Sequence, residues 1–210
     1  MKKILSLFLL CGAILSASTV NVTFQSPGAP SGGENLEWAG PYTLSVNGNS
    51  VLAMCMDDFL TVSGSWTANV TSLASSDLSG TFLGNGGMNI YEYQISSKDV
   101  YTIEAYLFQQ LLQPGADRAN IQLAAWAIMN PVTLSNVFNS NNTAVQNELF
   151  EAYNNLGTFD VTGFAILSDI GGTNQEFMVG TPEPTTLALL GAGLFAIGAT
   201  RFSRRKKTAE

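Results

Sequence analysis

The sequence predicts an α+β protein: a β-rich exported domain with two or three inserted helices, plus a C-terminal transmembrane helix. Three observations predict it. Apolar residues alternate on either side of an Asn-Gly turn in the first third, they change to helical spacing after residue 97, and an apolar segment lies near each end. Only 12% of the 210 residues are charged while 46% are apolar, a composition that buries a core and excludes disorder.

The N-terminal segment is typical of a secretory signal peptide over residues 1–18. Lys2 and Lys3 precede the apolar run 4–15, and the small residues 16–18 follow it. The run is too short to span a bilayer, which takes about 20 apolar residues. We therefore expect export, with cleavage close to the end of this segment.

The first part of the exported domain, which we expect over residues 19–180, is predicted to form strands. Residues 20–24 alternate between apolar and polar side chains. The runs 41–46 and 50–56 flank Asn47-Gly48, and Asn-Gly in that position is the strongest short-range signal of a β-hairpin. Cys55 then lies on the second strand of the hairpin.

The central part is predicted to be helical. A set of apolar residues shares one face of a first helix: Val100, Ile103, Tyr106, Leu107 and Leu111. Ser96 or Ser97 is the expected N-cap, and Pro114-Gly115 is the expected end. Asn130-Pro131 ends a second helix over residues 117–129.

A third helix and two strands are predicted to complete the domain. The helix covers residues 143–155, with Gly157 as its exit. The strands cover residues 158–167 and 176–179, and a turn at Gly171-Gly172 joins them.

The last thirty residues have three parts. The motif Pro182-Glu183-Pro184 comes first. The apolar residues 185–200 would form a helix about 24 Å long, at the short limit for a membrane span. A basic cluster follows, made of Arg201, Arg204, Arg205, Lys206 and Lys207. The positive-inside rule keeps such a cluster in the cytoplasm.

This order of motif, apolar helix and basic end resembles the PEP-CTERM sorting signal over residues 181–207. The resemblance implies handling by an exosortase, a membrane-embedded processing enzyme of Gram-negative bacteria that make extracellular polysaccharide. It also implies transient anchoring in the inner membrane through residues 185–200, then release to the cell surface or the extracellular matrix. The alternative is an ordinary single-span anchor.

Charge and residue types exclude several functions. Residues 19–180 carry 14 acidic and 2 basic residues, a net charge of −12, which repels nucleic acid. The chain has no histidine, so it has no Ser-His-Asp triad and no imidazole metal ligand. Asp57-Asp58 lies outside any calcium-loop pattern and is interpreted as a solvated strand end or cap. We expect no metal and no cofactor.

Cys55 is the one cysteine left after removal of the signal peptide, which contains Cys11. An unpaired cysteine in an exported protein has three explanations: a buried inert thiol, an intermolecular disulfide, or a covalent bond to a group other than sulfur. Gln122 and Trp126 are four residues apart and share one face of the second predicted helix.

This arrangement resembles the thioester domains of bacterial surface adhesins. In that family a cysteine early in the domain bonds to the glutamine of an apolar-Gln-x-x-apolar-Trp motif, which residues 121–126 match here. The resemblance implies a Cys55–Gln122 thioester that Trp126 and Tyr106 shield from water. It also implies single-turnover attachment to an amine-bearing surface partner or to extracellular polysaccharide.

Two other functions compete with covalent attachment. The first is a structural or carbohydrate-interacting matrix protein with a thioester-like fold and no bond. The second is a hydrolase with paired carboxylates, such as Glu34 with Glu37 or Asp57 with Asp58. Adjacent residues on a strand point to opposite faces, so Asp57 and Asp58 make a poor pair. We therefore expect a protein that is not an enzyme.

Overall fold

The computed structural model describes residues 18–30, 38–62, 64–90 and 93–180. Residues 1–17 of the predicted signal peptide and the whole predicted sorting tail lie outside the described residues. So do the predicted membrane span at 185–200 and the pair Glu34 and Glu37. Across the described ranges, none of the helices has the length and apolar character needed to cross a membrane.

The described residues contain ten strands and four helices. The strands are β1 (Ser18–Ser26), β2 (Ala29–Pro30), β3 (Trp38–Ala39), β4 (Tyr42–Val46), β5 (Asn49–Cys55), β6 (Ser65–Ser72), β7 (Met88–Ile90), β8 (Tyr93–Ile95), β9 (Phe164–Asp169) and β10 (Phe177–Gly180). The helices are α1 (Ser97–Leu111), α2 (Arg118–Met129), α3 (Pro131–Asn139) and α4 (Thr143–Asn154). All four helices lie between β8 and β9 in the chain.

Six of the strands close into a barrel in the order β1-β4-β5-β10-β9-β6, and every neighbouring pair is antiparallel. The strands β2 and β3 form one separate two-stranded sheet, and β7 and β8 form another. Closure removes the exposed edges that an open sheet would present to other chains.

The predicted fold class is therefore wrong. The described residues form a closed six-stranded barrel with four helices. The barrel closes because β1 pairs with both β4 and β6, while β10 brings the end of the domain back to β5. The alternation of apolar and polar residues along a strand predicts which side chains are buried. It does not predict which distant strands pair with it.

The predicted hairpin is confirmed by β4 and β5. The register pairs Val46 with Asn49 across the turn. Asn47 and Gly48 have φ angles of 49° and 86°, the positive values that a two-residue turn of this kind requires. This turn sets the register, and the register decides which face of β5 holds Cys55.

Strand β5 separates two hydrophobic cores. Ala53 and Cys55 point into the barrel interior, where Leu44, Trp66 and Phe177 also lie. Met54 and Met56 point the other way, into a core between the barrel wall and the helices. The alternation follows from the two-residue period of a strand, and it places the sulfur of Cys55 inside the barrel.

Helices α1 and α2 confirm the two helices expected there. The Ser96 side chain caps α1 by accepting a hydrogen bond from the Asp99 amide, and the apolar face of α1 is buried. Helix α1 ends at Leu111, ahead of Pro114. Asp117 caps α2, which ends at Met129 as expected.

Helix α3 was not predicted. Asn130-Pro131 was interpreted only as a stop, but the Asn130 side chain accepts hydrogen bonds from the amides of Val132 and Thr133 and starts a new helix. Proline suits the first helical position because its missing N–H would have no partner there. The predicted strand at 158–167 is wrong at its start, since β9 begins at Phe164.

Candidate functional site

Gln122 lies against Cys55, although 67 residues separate them in the chain. The Gln122 Nε2 atom donates a hydrogen bond of 2.6 Å to the carbonyl oxygen of Cys55. Gln122 is 1% exposed and Cys55 is fully buried. Helix α2 therefore presents an amide side chain to the backbone at the end of β5.

Gly40 holds the other end of the same amide. Its backbone N–H donates a hydrogen bond of 3.3 Å to Gln122 Oε1. A Cβ atom at position 40 would lie 3.2 Å from that oxygen and 3.0 Å from the Leu111 side chain. Any other residue at position 40 would have to displace these side chains by a few tenths of an ångström, and the Gln122 carbonyl is polarised by the Gly40 donor.

The thiol of Cys55 is held as a neutral group. Burial raises its pKa far above the usual range, and the charge of Asp57 raises it further, whereas the Trp126 indole N–H lowers it. Its sulfur donates a hydrogen bond of 3.0 Å to the carbonyl oxygen of Asp57. At rest the thiol is therefore a weak nucleophile that water does not reach.

Trp126 packs in the same core as the Cys55 side chain. It is 9% exposed and belongs to the barrel-interior core that contains the Cys55 side chain. Its Nε1 atom is buried and has no hydrogen-bond partner among the described residues. Its position four residues after Gln122 in α2 brings the indole to the sulfur, while Gln122 reaches the strand backbone.

Tyr106 lies in the other core. It packs edge-on against Phe159, with ring centroids 5.5 Å apart, and its hydroxyl donates a hydrogen bond of 2.7 Å to Glu151 Oε1. Burial and that carboxylate raise the Tyr106 pKa to about 12. The structure thus brings Cys55, Gln122 and Trp126 together and places Tyr106 among the helices.

Three buried carboxylates surround the other side of β5. The Asp57 Oδ2 atom accepts a hydrogen bond of 2.8 Å from the Glu176 amide. The Glu176 carboxylate accepts hydrogen bonds from Ser168 and from the Tyr101 hydroxyl. Glu104, also buried, has no hydrogen-bond partner for either oxygen within the described part of the chain. Asp57 is thus a buried acceptor, which corrects its interpretation as a solvated residue.

Asp58 is exposed and has a structural role. Its carboxylate accepts hydrogen bonds of 2.8 Å from Asn130 Nδ2 and 2.7 Å from Thr133 Oγ1, so it ties the loop after Cys55 to the start of α3. Within residues 18–30, 38–62, 64–90 and 93–180, no group of acidic, cysteine or histidine side chains is arranged to hold a metal ion.

A cleft of about 360 Å³ opens next to Asp57. Phe59 and Phe82 lie along it, more than half exposed, with their rings stacked at 6.3 Å between centroids. The acids that line it are engaged internally: Asp169 accepts hydrogen bonds from the loop 171–174, and Glu176 is bonded as described above. Each acid that lines the cleft therefore accepts hydrogen bonds from within the chain.

Residues 181–206 match the PEP-CTERM protein-sorting motif. The motif implies recognition by an exosortase, with export and processing at the membrane and then location at the cell surface or outside the cell. No curated protein matches the chain, and no solved structure matches it. None of the comparisons supports the resemblance to adhesin thioester domains.

Sequence reasoning missed three residues of this site. Gly40 precedes a predicted strand, and only its close contact with Gln122 distinguishes it from other glycines. Glu104 stands on the apolar face of α1, and that position was the one available signal, since a charged residue there is unusual. Glu176 was included only as the first residue of a predicted strand.

Proposed function

We propose that this chain is an exosortase substrate that attaches covalently to an amine-bearing partner outside the cell through a thioester between Cys55 and Gln122. The observation that carries the proposal is the placement of the Gln122 amide between the Gly40 N–H and the Cys55 carbonyl. The Gly40 N–H polarises the carbonyl group whose carbon the Cys55 sulfur would attack.

The chemistry needs no cofactor. The Cys55 sulfur attacks the side-chain carbonyl carbon of Gln122, and the carbon–nitrogen bond breaks. The thiol proton leaves with the amide nitrogen as ammonia, so a thioester replaces an amide and a thiol. Negative charge that develops on Gln122 Oε1 is stabilised by the Gly40 N–H, as in an oxyanion hole.

Attachment follows when an amine displaces the sulfur. A lysine side chain on the partner attacks the thioester carbonyl, the carbon–sulfur bond breaks, and Cys55 recovers its proton from the amine. The product is an amide to Gln122, so the protein acts once and is not an enzyme. Lys98 does not compete, because its Nζ atom contacts the carbonyl oxygens of Leu73 and Ser75.

The test is the intact mass of the mature exported protein. We expect a mass lower by one ammonia than the mature sequence requires, and methylamine is expected to add at Gln122 while freeing one thiol. Cys55→Ser is expected to have the full mass and to incorporate no methylamine. Gln109→Ala is the matched control, since it removes an exposed glutamine and should keep the ammonia loss.

A second candidate function is a non-covalent matrix protein that interacts with carbohydrate. The specific observation in its favour is the cleft with the exposed pair Phe59 and Phe82, because aromatic rings beside polar groups suit sugar rings. The same experiment separates the two. A full mass, with Cys55 alkylated once the exported protein is denatured, would contradict the thioester and favour this second function.

A further inference from the structure

The indole N–H of Trp126 is a buried donor whose acceptor is missing among the described residues. Such donors are rare in proteins because each loses its hydrogen bond to water without replacement. Beside a group that becomes charged during a reaction, such a donor gains a strong acceptor when that charge develops. Trp126 lies in the barrel-interior core together with Cys55.

The sulfur of Cys55 can accept a hydrogen bond from such a donor. Its own proton is directed to the Asp57 carbonyl oxygen at 3.0 Å, which leaves the sulfur lone pairs for another group. Burial and the Asp57 charge both oppose a negative sulfur, and the Trp126 N–H is the one side-chain donor that favours it. A neutral thiol is a weak acceptor, whereas a thiolate is a strong one.

We propose that the Trp126 indole N–H is the hydrogen-bond donor that stabilises the negative charge on the Cys55 sulfur, both when the thioester forms and when an amine breaks it. This inference rests on the proposed function. It gives Trp126 an electrostatic role in addition to the shielding expected from the sequence.

The N–H groups of Gly40 and Trp126 then stabilise negative charge on different atoms. During formation the sulfur loses its proton and attacks Gln122, while the Gly40 N–H stabilises the carbonyl oxygen. During attachment the carbon–sulfur bond breaks and the electron pair goes to the sulfur, where the indole N–H receives it. Because the neutral thiol and the thioester sulfur accept weakly, this hydrogen bond is strong only near the transition states and speeds both steps.

The test measures how fast methylamine opens the thioester in the mature exported protein. Trp126→Phe keeps an aromatic ring and removes the N–H, and we expect both formation and opening to be about 100-fold slower. Trp66→Phe is the matched control, because Trp66 Nε1 is also buried without a partner in the described residues and its ring stacks on Phe177 in the same core. Its rates should equal those of the wild type.

A second variant removes any effect of shape. Benzothienylalanine at position 126 has the outline of tryptophan and lacks the N–H, so it should be as slow as Trp126→Phe. Slower formation and slower opening of the thioester in both folded variants agree with the proposal. If the benzothienyl variant forms and opens the thioester at the wild-type rate, the donor role is wrong, whatever Trp126→Phe does.

Two further results would also overturn the inference, and they differ in what else they affect. If the thioester of Trp126→Phe hydrolyses faster in water than that of the wild type but reacts with methylamine at the wild-type rate, Trp126 acts only as a shield. A wild-type protein of full mass would contradict both this inference and the proposed thioester. The wild-type mass therefore separates failure of the function from failure of the donor role.

Discussion

Glu104 is the residue whose burial is hardest to reconcile with its chemistry. It lies fully buried in α1, and neither carboxylate oxygen has a hydrogen-bond partner in the described ranges. Burial raises its pKa well above the usual value, and the charges of Glu176 and Asp57 raise it further. The folded protein therefore keeps a proton on Glu104 at pH values where the unfolded chain has lost it.

This residue predicts how stability depends on pH. Because unfolding releases the Glu104 proton above about pH 4.3, a rise in pH favours the unfolded state, at up to about 1.4 kcal/mol per pH unit for one group. Glu104→Gln should flatten that dependence between pH 5 and pH 8 and raise stability at the upper end. Urea unfolding at several pH values measures both effects.

Glu176→Gln supplies the contrast for the same chemical change. The Glu176 carboxylate accepts hydrogen bonds from the Phe82 amide at 2.7 Å and from the Tyr101 hydroxyl at 2.8 Å. An amide nitrogen in place of one oxygen cannot accept, so this variant should lose stability. A steeper pH dependence in Glu104→Gln than in the wild type would contradict the account of Glu104.

Single residues of the site were predictable to different degrees. The set Cys55, Gln122 and Trp126 came from the resemblance to thioester domains, and the structure brings the three residues together. Gly40 was not predictable, since its role depends on a contact 82 residues away in the chain. Whether the predicted bond forms is a question for the mass measurement.

At the scale of elements, the junction of α2 and α3 connects the helices to the loop that follows Cys55. The Asn130 side chain caps α3 by accepting from the Val132 amide at 2.9 Å, and it donates to Asp58 at 2.8 Å. One side chain therefore starts a helix and fixes its position relative to β5. Gln122 and Trp126 stand on the helix that ends at the same residue.

Asn130→Ala should lower the free energy of unfolding by about 1 kcal/mol for the lost cap, and by more if the link to Asp58 also contributes. Asn130→Ser separates the two effects, because serine can still cap while it loses the amide that reaches Asp58. Chemical denaturation measures both variants. Wild-type stability in Asn130→Ala would mean that neither contact matters.

Elements with local determinants were predicted best. The hairpin of β4 and β5 depends on two adjacent turn residues, and α1 depends on a cap and an apolar face that neighbouring residues define. The closed barrel depends on pairing between β1 and β6 and between β5 and β10, strands far apart in the chain. Period and propensity do not specify such partners, so the fold class was wrong although several of its elements were right.

At the scale of the whole molecule, charge separates the folded domain from the sorting tail. Residues 19–180 have a net charge of −12, and five of the nine basic residues of the chain lie between 201 and 207. An acidic domain favours the approach of cationic groups such as lysine side chains, while the basic end belongs to the matched sorting motif. Loss of the tail would therefore make the protein more acidic.

The sorting motif yields a prediction that does not depend on the thioester. Proline has no backbone N–H and a restricted φ angle, so Pro182 and Pro184 differ chemically from any other residue that a processing enzyme could meet there. Replacing Pro182, Glu183 and Pro184 with alanine removes both prolines and the carboxylate between them. We expect this variant to keep its C-terminal residues and to fail to reach the extracellular fraction.

Cell fractionation and intact mass read out this experiment in a host that has an exosortase. Glu210→Ala is the control, because position 210 lies outside the matched residues 181–206, and it should be processed like the wild type. Processing of the triple-alanine variant at the wild-type rate would mean that the enzyme does not read this motif. Since β10 ends at Gly180, before the motif begins, the variant should keep the Cys55–Gln122 contact and any ammonia loss that depends on it. Sorting and the proposed covalent attachment are thus tested independently in one chain, because the first depends on residues 181–206 and the second on Cys55 and Gln122.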